Sequence, residues 1–260
     1  MIKSGLASIS FRNLSTDMII DLAKDSGLLA IEWGGDVHVP HGDLQKAKEV
    51  KRETLNAGIE VAAYGSYYKA GESEMVGLKF EDVLATAVEL SAPTVRVWAG
   101  LKSSRDADEK YRKMVADDLF RIAKIAMKKN INISVEYQAH TLTDSTKSTL
   151  KLLDDVNHDN LFCYWQPHVS ETKSHADCKS DLNALVKKLS NIHVYHWTLQ
   201  DEIYTRYSLK DGFNEWKEYL DIVKLNGGNH YALLEFFLND NVEQVKEDAN
   251  TLNELINLNL

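Results

Sequence analysis

The sequence predicts an α/β fold, a (β/α)8 TIM barrel forming a single domain over residues 1–260. Three observations predict it. Short apolar or β-branched runs alternate strictly with amphipathic stretches, and eight such pairs can be counted. The pairs are nearly equal in length, with no linker, low-complexity segment or compositional break to mark a second domain. Four residues with metal-ligand chemistry, Glu136, Gln166, His196 and Glu235, end the last four apolar runs and recur roughly every thirty to forty residues, the period of a strand followed by a helix.

The first predicted strand, residues 6–9, precedes a helix over 17–25 with apolar residues at three- and four-residue spacing. The strand at 28–33 follows Gly27, a left-handed helix stop, and leads to a helix over 44–57. Gly58 serves in the same way before the strand at 59–65, and a helix over 80–90 follows. The strand at 94–98 precedes the longest helix, 108–129, which Asn130 closes ahead of the strand at 131–137. Helices over 146–155, 181–189 and 213–224 alternate with strands at 161–166, 192–197 and 231–236, and a last helix covers 242–258. Gly227 and Gly228 stand between the seventh helix and the eighth strand. An open doubly wound sheet is disfavoured, because no GxGxxG or GxxxxGK[ST] follows any strand.

Composition narrows the function. The chain is 44% hydrophobic and 27% charged with a net charge of −9, which opposes a phosphate-tracking face and so nucleic acid as a partner. No stretch approaches the roughly 18 apolar residues of a membrane span, and the start carries no leader pattern. Cys163 and Cys178 form no CxxC pair. A cytoplasmic enzyme acting on a small molecule is the expectation, and a homo-oligomer is compatible with it.

In a barrel of this kind the chemistry sits at the C-terminal ends of the strands. That rule assigns Glu32, Tyr64, Arg96, Glu136, Gln166, His196 and Glu235 to the site and leaves Asn130 and Gly227-Gly228 to the opposite face. Two carboxylates, an amide oxygen and an imidazole without thiolates suit Mn²⁺, Mg²⁺, Co²⁺ or Zn²⁺. His193 lies three residues before His196 and therefore faces the helices if His196 faces the barrel centre; it is the alternate ligand if the register shifts. Trp33, Trp98, Trp165 and Trp197 all fall at strand ends, where they would form flat walls for a sugar or cyclitol; packing of the upper core is the competing expectation for each. An ion pair with Arg96 or Arg12 is the competing expectation for Glu32. His38 and His41 are expected as exposed loop residues, with a substrate-capping role as the sharper reading. His168 and Arg206 complete the substrate-binding candidates.

The passage Ser134-Val135-Glu136-Tyr137-Gln138-Ala139-His140-Thr141-Leu142-Thr143-Asp144 and the closing run Ala232-Leu233-Leu234-Glu235-Phe236-Phe237-Leu238-Asn239-Asp240 resemble the sugar phosphate isomerase/epimerase superfamily, the xylose isomerase-like barrels. The resemblance implies a divalent metal held by Glu136, Gln166, His196 and Glu235. Gln166 departs from the Asp usual at its place and leaves the site one negative charge short. The resemblance also implies that His168 touches substrate, and that Glu136 and Glu235 act as acid and base around an enediolate, which makes a sugar isomerase or epimerase the leading reading. A lyase similar to inosose dehydratase begins with the same proton abstraction, and a non-catalytic sugar binder with a decayed metal site is the third reading. A nuclease similar to endonuclease IV is disfavoured, because strands three and four end without the extra histidines such a centre needs. The missing phosphate loop points to an unphosphorylated substrate.

Overall fold

The structure, a computed structural model, describes residues 1–168 and 173–259. Its strands are β1 (Ile2–Ala7), β2 (Ala30–Gly34), β3 (Glu60–Lys69), β4 (Thr94–Trp98), β5 (Asn132–Glu136), β6 (Leu161–Trp165), β7 (Leu189–Val194), β8 (His196–Gln200), β9 (Ile203–Tyr207) and β10 (His230–Leu234). Eight of them close in the order β1-β10-β7-β6-β5-β4-β3-β2, all parallel, while β8 and β9 form a separate antiparallel pair. The helices are α1 (Thr16–Asp25), α2 (Leu44–Asn56), α3 (Phe80–Leu90), α4 (Glu109–Met127), α5 (Thr146–Val156), α6 (His175–Leu185), α7 (Phe213–Asn226) and α8 (Val242–Asn257).

The helices form where an apolar stripe and a start signal coincide. α4 buries Tyr111, Val115, Leu119, Ile122 and Ala126 on one face, and its N-cap Asp108 accepts the Tyr111 N–H. Asp43 and Asn241 cap α2 and α8 in the same way, and Ser174 with Asp177 makes a capping box on α6. The large apolar cluster lies between strands and helices. Inside the barrel the floor is small, built from Ala30, Ala62, Ala63, Leu233 and Tyr164, and this leaves room for long polar side chains above it.

Three local differences from the sequence expectation matter for the site. The first strand ends at Ala7, because Ser8–Phe11 is a short 3-10 turn. The sixth helix starts and ends earlier than expected, and a 3-10 turn over Val186–Lys188 brings β7 forward to Leu189. The expected seventh strand at 192–197 is therefore two structures, the end of β7 and the start of the β8–β9 hairpin. The hairpin turn places Asp201 and Glu202 both at positive φ. An Asn-Gly pair would have announced such a turn, whereas Asp-Glu does not.

Candidate metal and active site

Strand alternation decides what reaches the cavity. Leu233 belongs to the barrel interior and pairs with His193, so His193 faces inward and is completely buried. The same alternation turns Glu32, Arg96, Glu136, Tyr164 and Gln166 inward. Their neighbours Trp33, Val97, Val135 and Trp165 belong to the outer apolar layer.

His193 is the hub of the site. Its Nδ1 lies 3.0 Å from Gln166 Oε1, 3.3 Å from Glu235 Oε2 and 3.6 Å from Glu136 Oε1. Gln166 Nε2 donates to Tyr137 O at 3.1 Å and to Gln138 Oε1 at 2.8 Å, which fixes the amide with its oxygen toward the imidazole. His193 Nε2 has no hydrogen-bond partner and lies 3.5 Å from Glu32 Oε1. Beneath this cluster Arg96 is held between two acids, donating to Glu32 Oε1 through Nε (3.0 Å) and Nη2 (2.8 Å) and to Glu136 Oε2 through Nη1. Tyr164 donates to the other Glu32 oxygen. Gly65 makes the crossing possible, since a Cβ there would stand 2.8 Å from both Arg96 Nη2 and Glu32 Oε1.

The two upper carboxylates are unequal. Burial pushes Glu136 up, but Arg96, then His193 and the Trp98 indole, hold it below the usual carboxylate range; Trp98 Nε1 donates to its Oε2 at 2.6 Å. Burial pushes Glu235 up more strongly than His193 and Arg96 pull it down, and the neighbouring charges of Glu136 and Glu32 add to the rise, so it sits above the usual range, at about 7. Burial alone would lower His193, yet Glu235, Glu32 and Glu136 raise it to about 10. Glu32, despite its burial, is kept well below the ordinary value by Arg96 and His193.

The donor set fits a divalent ion by its chemistry. Two carboxylate oxygens, an amide oxygen and an imidazole nitrogen converge; the separations of Gln166 and Glu235 from His193 Nδ1, 3.0 and 3.3 Å, fall within the ligand-to-ligand edge of about 3.0–3.4 Å that bonds of about 2.1 Å impose, and that of Glu136, 3.6 Å, lies just outside it. Among the described residues no three Asp, Glu, His or Cys side chains form a ready-made metal cage; the fourth donor here is the Gln166 amide. Around this point opens a cavity of about 160 Å³, lined by Tyr67, Trp98, Tyr195, Trp197, Phe236 and the charged groups. A side lobe of about 140 Å³ shares Gln138, Gln166, Tyr195 and Trp197 with it and reaches His168 and Tyr204. Volumes of this order admit a small polar metabolite and nothing much larger.

The structure brings Glu136, Gln166, Glu235, Arg96 and Trp98 together at the main cavity, with Trp197 beside them, and places His168 on the side lobe. Burial holds the His168 imidazole below its ordinary value. Other expectations change. His196 is not at the cluster: it opens the hairpin, 4.0 Å from Glu215, and packs so closely on Gly212 that a Cβ there would lie 2.5 Å from its ring. His193 takes its place. Trp33 is fully buried against His38, and Trp165 packs on Trp216 and Tyr219; both stand on the helix side, one residue out of phase with Glu32 and Gln166. Tyr64 is likewise turned outward and donates to Val39 O at 2.8 Å. Glu32 stands below the cavity as the partner of Arg96. Arg206 lies behind the wall, its guanidinium 5.2 Å from the rings of both Trp197 and Phe236 and ion-paired to Asp240. His38 is buried, with Nδ1 3.0 Å from Ser8 Oγ. The apolar pair Ile192 and Val194, both in the outer layer, turns His193 and Tyr195 inward; a count from Leu189 would give the opposite face, because the β6–β7 pairing shifts between Cys163 and Trp165. Tyr67 carried no sequence signal, because a shift in the β3–β4 pairing between Gly65 and Tyr68 brings it to the cavity.

A closed (β/α)8 barrel with paired carboxylates, an amide and an imidazole at its mouth defines a class of barrel enzymes that work on small molecules. The chain belongs to one family of that class, the xylose isomerase-like TIM barrels, whose pattern matches residues 20–255. It is 25% identical over 272 aligned positions to a 3-dehydroshikimate dehydratase of Bacillus anthracis, with 96% of each chain covered. In structure it resembles the probable 3-DHS dehydratase AsbF of Bacillus anthracis, described as involved in petrobactin synthesis (TM-score 0.81, 23% identity, 97% of this chain and 99% of that one). It also resembles a xylose isomerase-like barrel protein from Mycobacterium smegmatis in complex with magnesium (TM-score 0.74, 13% identity, 98% and 96%). Among the described residues no helix is long and apolar enough to cross a membrane.

Proposed function

We propose that the chain is a divalent-metal-dependent lyase that removes the proton beside a ketone and expels a hydroxyl from the next carbon as water. The observation that carries this reading is the inequality of the two carboxylates. Epimerisation asks for a proton carrier on each face of the carbon, whereas elimination asks for one. Glu136 is pinned by Arg96 and Trp98 and kept ionised, which suits a ligand. Among the described residues no guanidinium or indole hydrogen-bonds Glu235, whose neighbour is the His193 imidazole at 3.3 Å, and burial pushes it toward the neutral range, which suits a base that must take and release a proton. The 25% identical dehydratase supports elimination over isomerisation.

The bound ion, held by Glu136, Gln166, His193 and Glu235, would polarise the substrate carbonyl. Glu32 faces Nε2 of His193 and orients the ring. Trp197, Phe236 and Trp98 present flat apolar walls to the C–H faces of a substrate ring and keep water from the reacting carbon.

Two substrates test the reading, because Arg96, the cation at this cavity, is already committed to Glu32 and Glu136. The protein is incubated with 3-dehydroshikimate and, separately, with an inosose, with Mn²⁺ or Mg²⁺ supplied. Loss of water from either is expected; from the first it yields 3,4-dihydroxybenzoate, followed by its ultraviolet absorbance. Epimer formation without water loss would return the isomerase reading, and absence of stoichiometric metal uptake would favour a non-catalytic binder.

A further inference from the structure

Elimination needs a proton for the departing hydroxyl as well as a base for the C–H bond, and the groups assigned so far supply only the base. The tyrosines around the barrel mouth separate sharply in this respect. Tyr64 donates to Val39 O, Tyr164 to Glu32, Tyr195 to Pro167 O and Tyr137 to Asp181 Oδ2, so each of those phenol protons is committed to a fixed acceptor. Tyr67 is different. It lines the same cavity as Glu235, its ring meets Trp98 edge-on at 5.7 Å, and the Arg96 guanidinium stands 5.0 Å from the ring centre. No carboxylate or carbonyl among the described residues accepts its proton.

Its backbone is also unusual. Tyr67 sits at φ 54°, in the left-handed region, within the irregular stretch where the β3–β4 pairing shifts. A bulky residue is strained there, and such strain recurs where function fixes a side chain. Alternative donors are placed less well. His168 lines the side lobe rather than the main cavity, and Tyr204 is 58% exposed on the hairpin.

We propose that Tyr67 is the acid of the reaction, donating its phenolic proton to the hydroxyl that leaves. The inference rests on the lyase reading. Glu235 takes the proton from the carbon beside the carbonyl, and the electron pair of that C–H bond forms the new C=C bond. The C–O bond on the next carbon breaks, its electron pair stays with oxygen, and the Tyr67 proton completes a water molecule. The Tyr67 phenolate, faced by Arg96, regains a proton from solvent while Glu235 releases its own, so one water is lost and nothing is oxidised or reduced.

Tyr67→Phe keeps the ring and removes only the proton. The test measures two rates in D2O with Mn²⁺ supplied and 3-dehydroshikimate or an inosose as probe: deuterium uptake at the carbon beside the carbonyl, and loss of water. The expected result is elimination slowed by about a hundredfold or more, with deuterium uptake within about threefold of the unaltered protein and an unchanged melting temperature. Elimination within threefold of normal overturns the proposal. A parallel loss of both rates also overturns it and makes Tyr67 a positioning residue for Arg96. If the unaltered protein takes up deuterium but never loses water, the lyase reading falls and the proposal falls with it.

Discussion

The histidine proposed to hold the metal would exchange a proton for it. His193 Nδ1 faces the Gln166 carbonyl oxygen, so in the absence of an ion that nitrogen carries the hydrogen, and the surrounding acids hold the ring protonated up to about pH 10. An incoming ion must displace that proton. Apparent metal affinity should therefore rise by close to tenfold per pH unit between about pH 8 and 9, and more steeply below about pH 7, where Glu235 also gives up a proton, and calorimetry at about pH 8 in buffers of different ionisation enthalpy should show about one proton released per ion. The metal-free fold follows the opposite trend: the charged ring stabilises it fully below the ordinary histidine value of 6.5, and that contribution is lost as pH rises toward about 10. A second expectation separates the two histidines. His193→Ala should abolish stoichiometric Mn²⁺ binding measured by elemental analysis, while His196→Ala, out on the hairpin, should leave it intact. His193 was readable from its apolar neighbours Ile192 and Val194, whereas counting back from His196 across the end of β7 put it on the wrong face; Trp33 and Trp165 stand on the helix side because adjacency to Glu32 and Gln166 in sequence puts them on the opposite face.

At the scale of elements, the β8–β9 hairpin distinguishes this mouth. It lies between β7 and α7, contributes Trp197 to both lobes and Tyr204 to one, and is tied down by Arg206, whose charge rests on Trp197 and Phe236 and pairs with Asp240. Arg206 does not line the cavity, so its loss should loosen the wall rather than the chemistry. Arg206→Ala is expected to raise KM by roughly three- to tenfold with kcat changed less than about twofold, the magnitude of one partly exposed cation–π contact. Steady-state kinetics on the probe that turns over checks it, and an equal fall in kcat with no change in KM would remove the clamp role. The eight barrel strands were legible because a buried parallel strand is a continuous apolar run. The hairpin was hidden for the reverse reason: its residues are mostly half-exposed or exposed and lack a glycine at the turn.

Across the whole molecule, the Glu32–Arg96–Glu136 triad links β2, β4 and β5 through the barrel interior. It was foreseen in part, since Arg96 was one of the two partners expected for Glu32; that the same guanidinium also holds Glu136 depends on Gly65 and on the small alanine floor, which no motif announces. Breaking a buried charge network leaves uncompensated charge in the core. Arg96→Met should therefore cost about 3–5 kcal/mol of unfolding free energy, read from urea denaturation of the metal-free protein. Lys113→Ala, which removes an exposed helical pair with Asp117, should cost less than about 0.5 kcal/mol.

The closure of the barrel between β1 and β10 has a consequence in time. Glu235 follows directly on β10, and β10 is held on one side by β1, from Ile2–His230 to Leu6–Leu234, and on the other by β7. A ribosome adding residues at about 5–20 per second delivers β1 well before β10, so β1 must wait with one edge open while all the other barrel strands are made, and β7 waits only while the hairpin and α7 follow it. Until β10 has emerged and paired with both, the growing polypeptide holds Glu136, Gln166 and His193 but lacks the residue proposed to take the proton. The nascent chain is therefore inert toward substrate until β10 has emerged and paired, and the pairing that completes the site is the same one that shields the last open edges of the barrel.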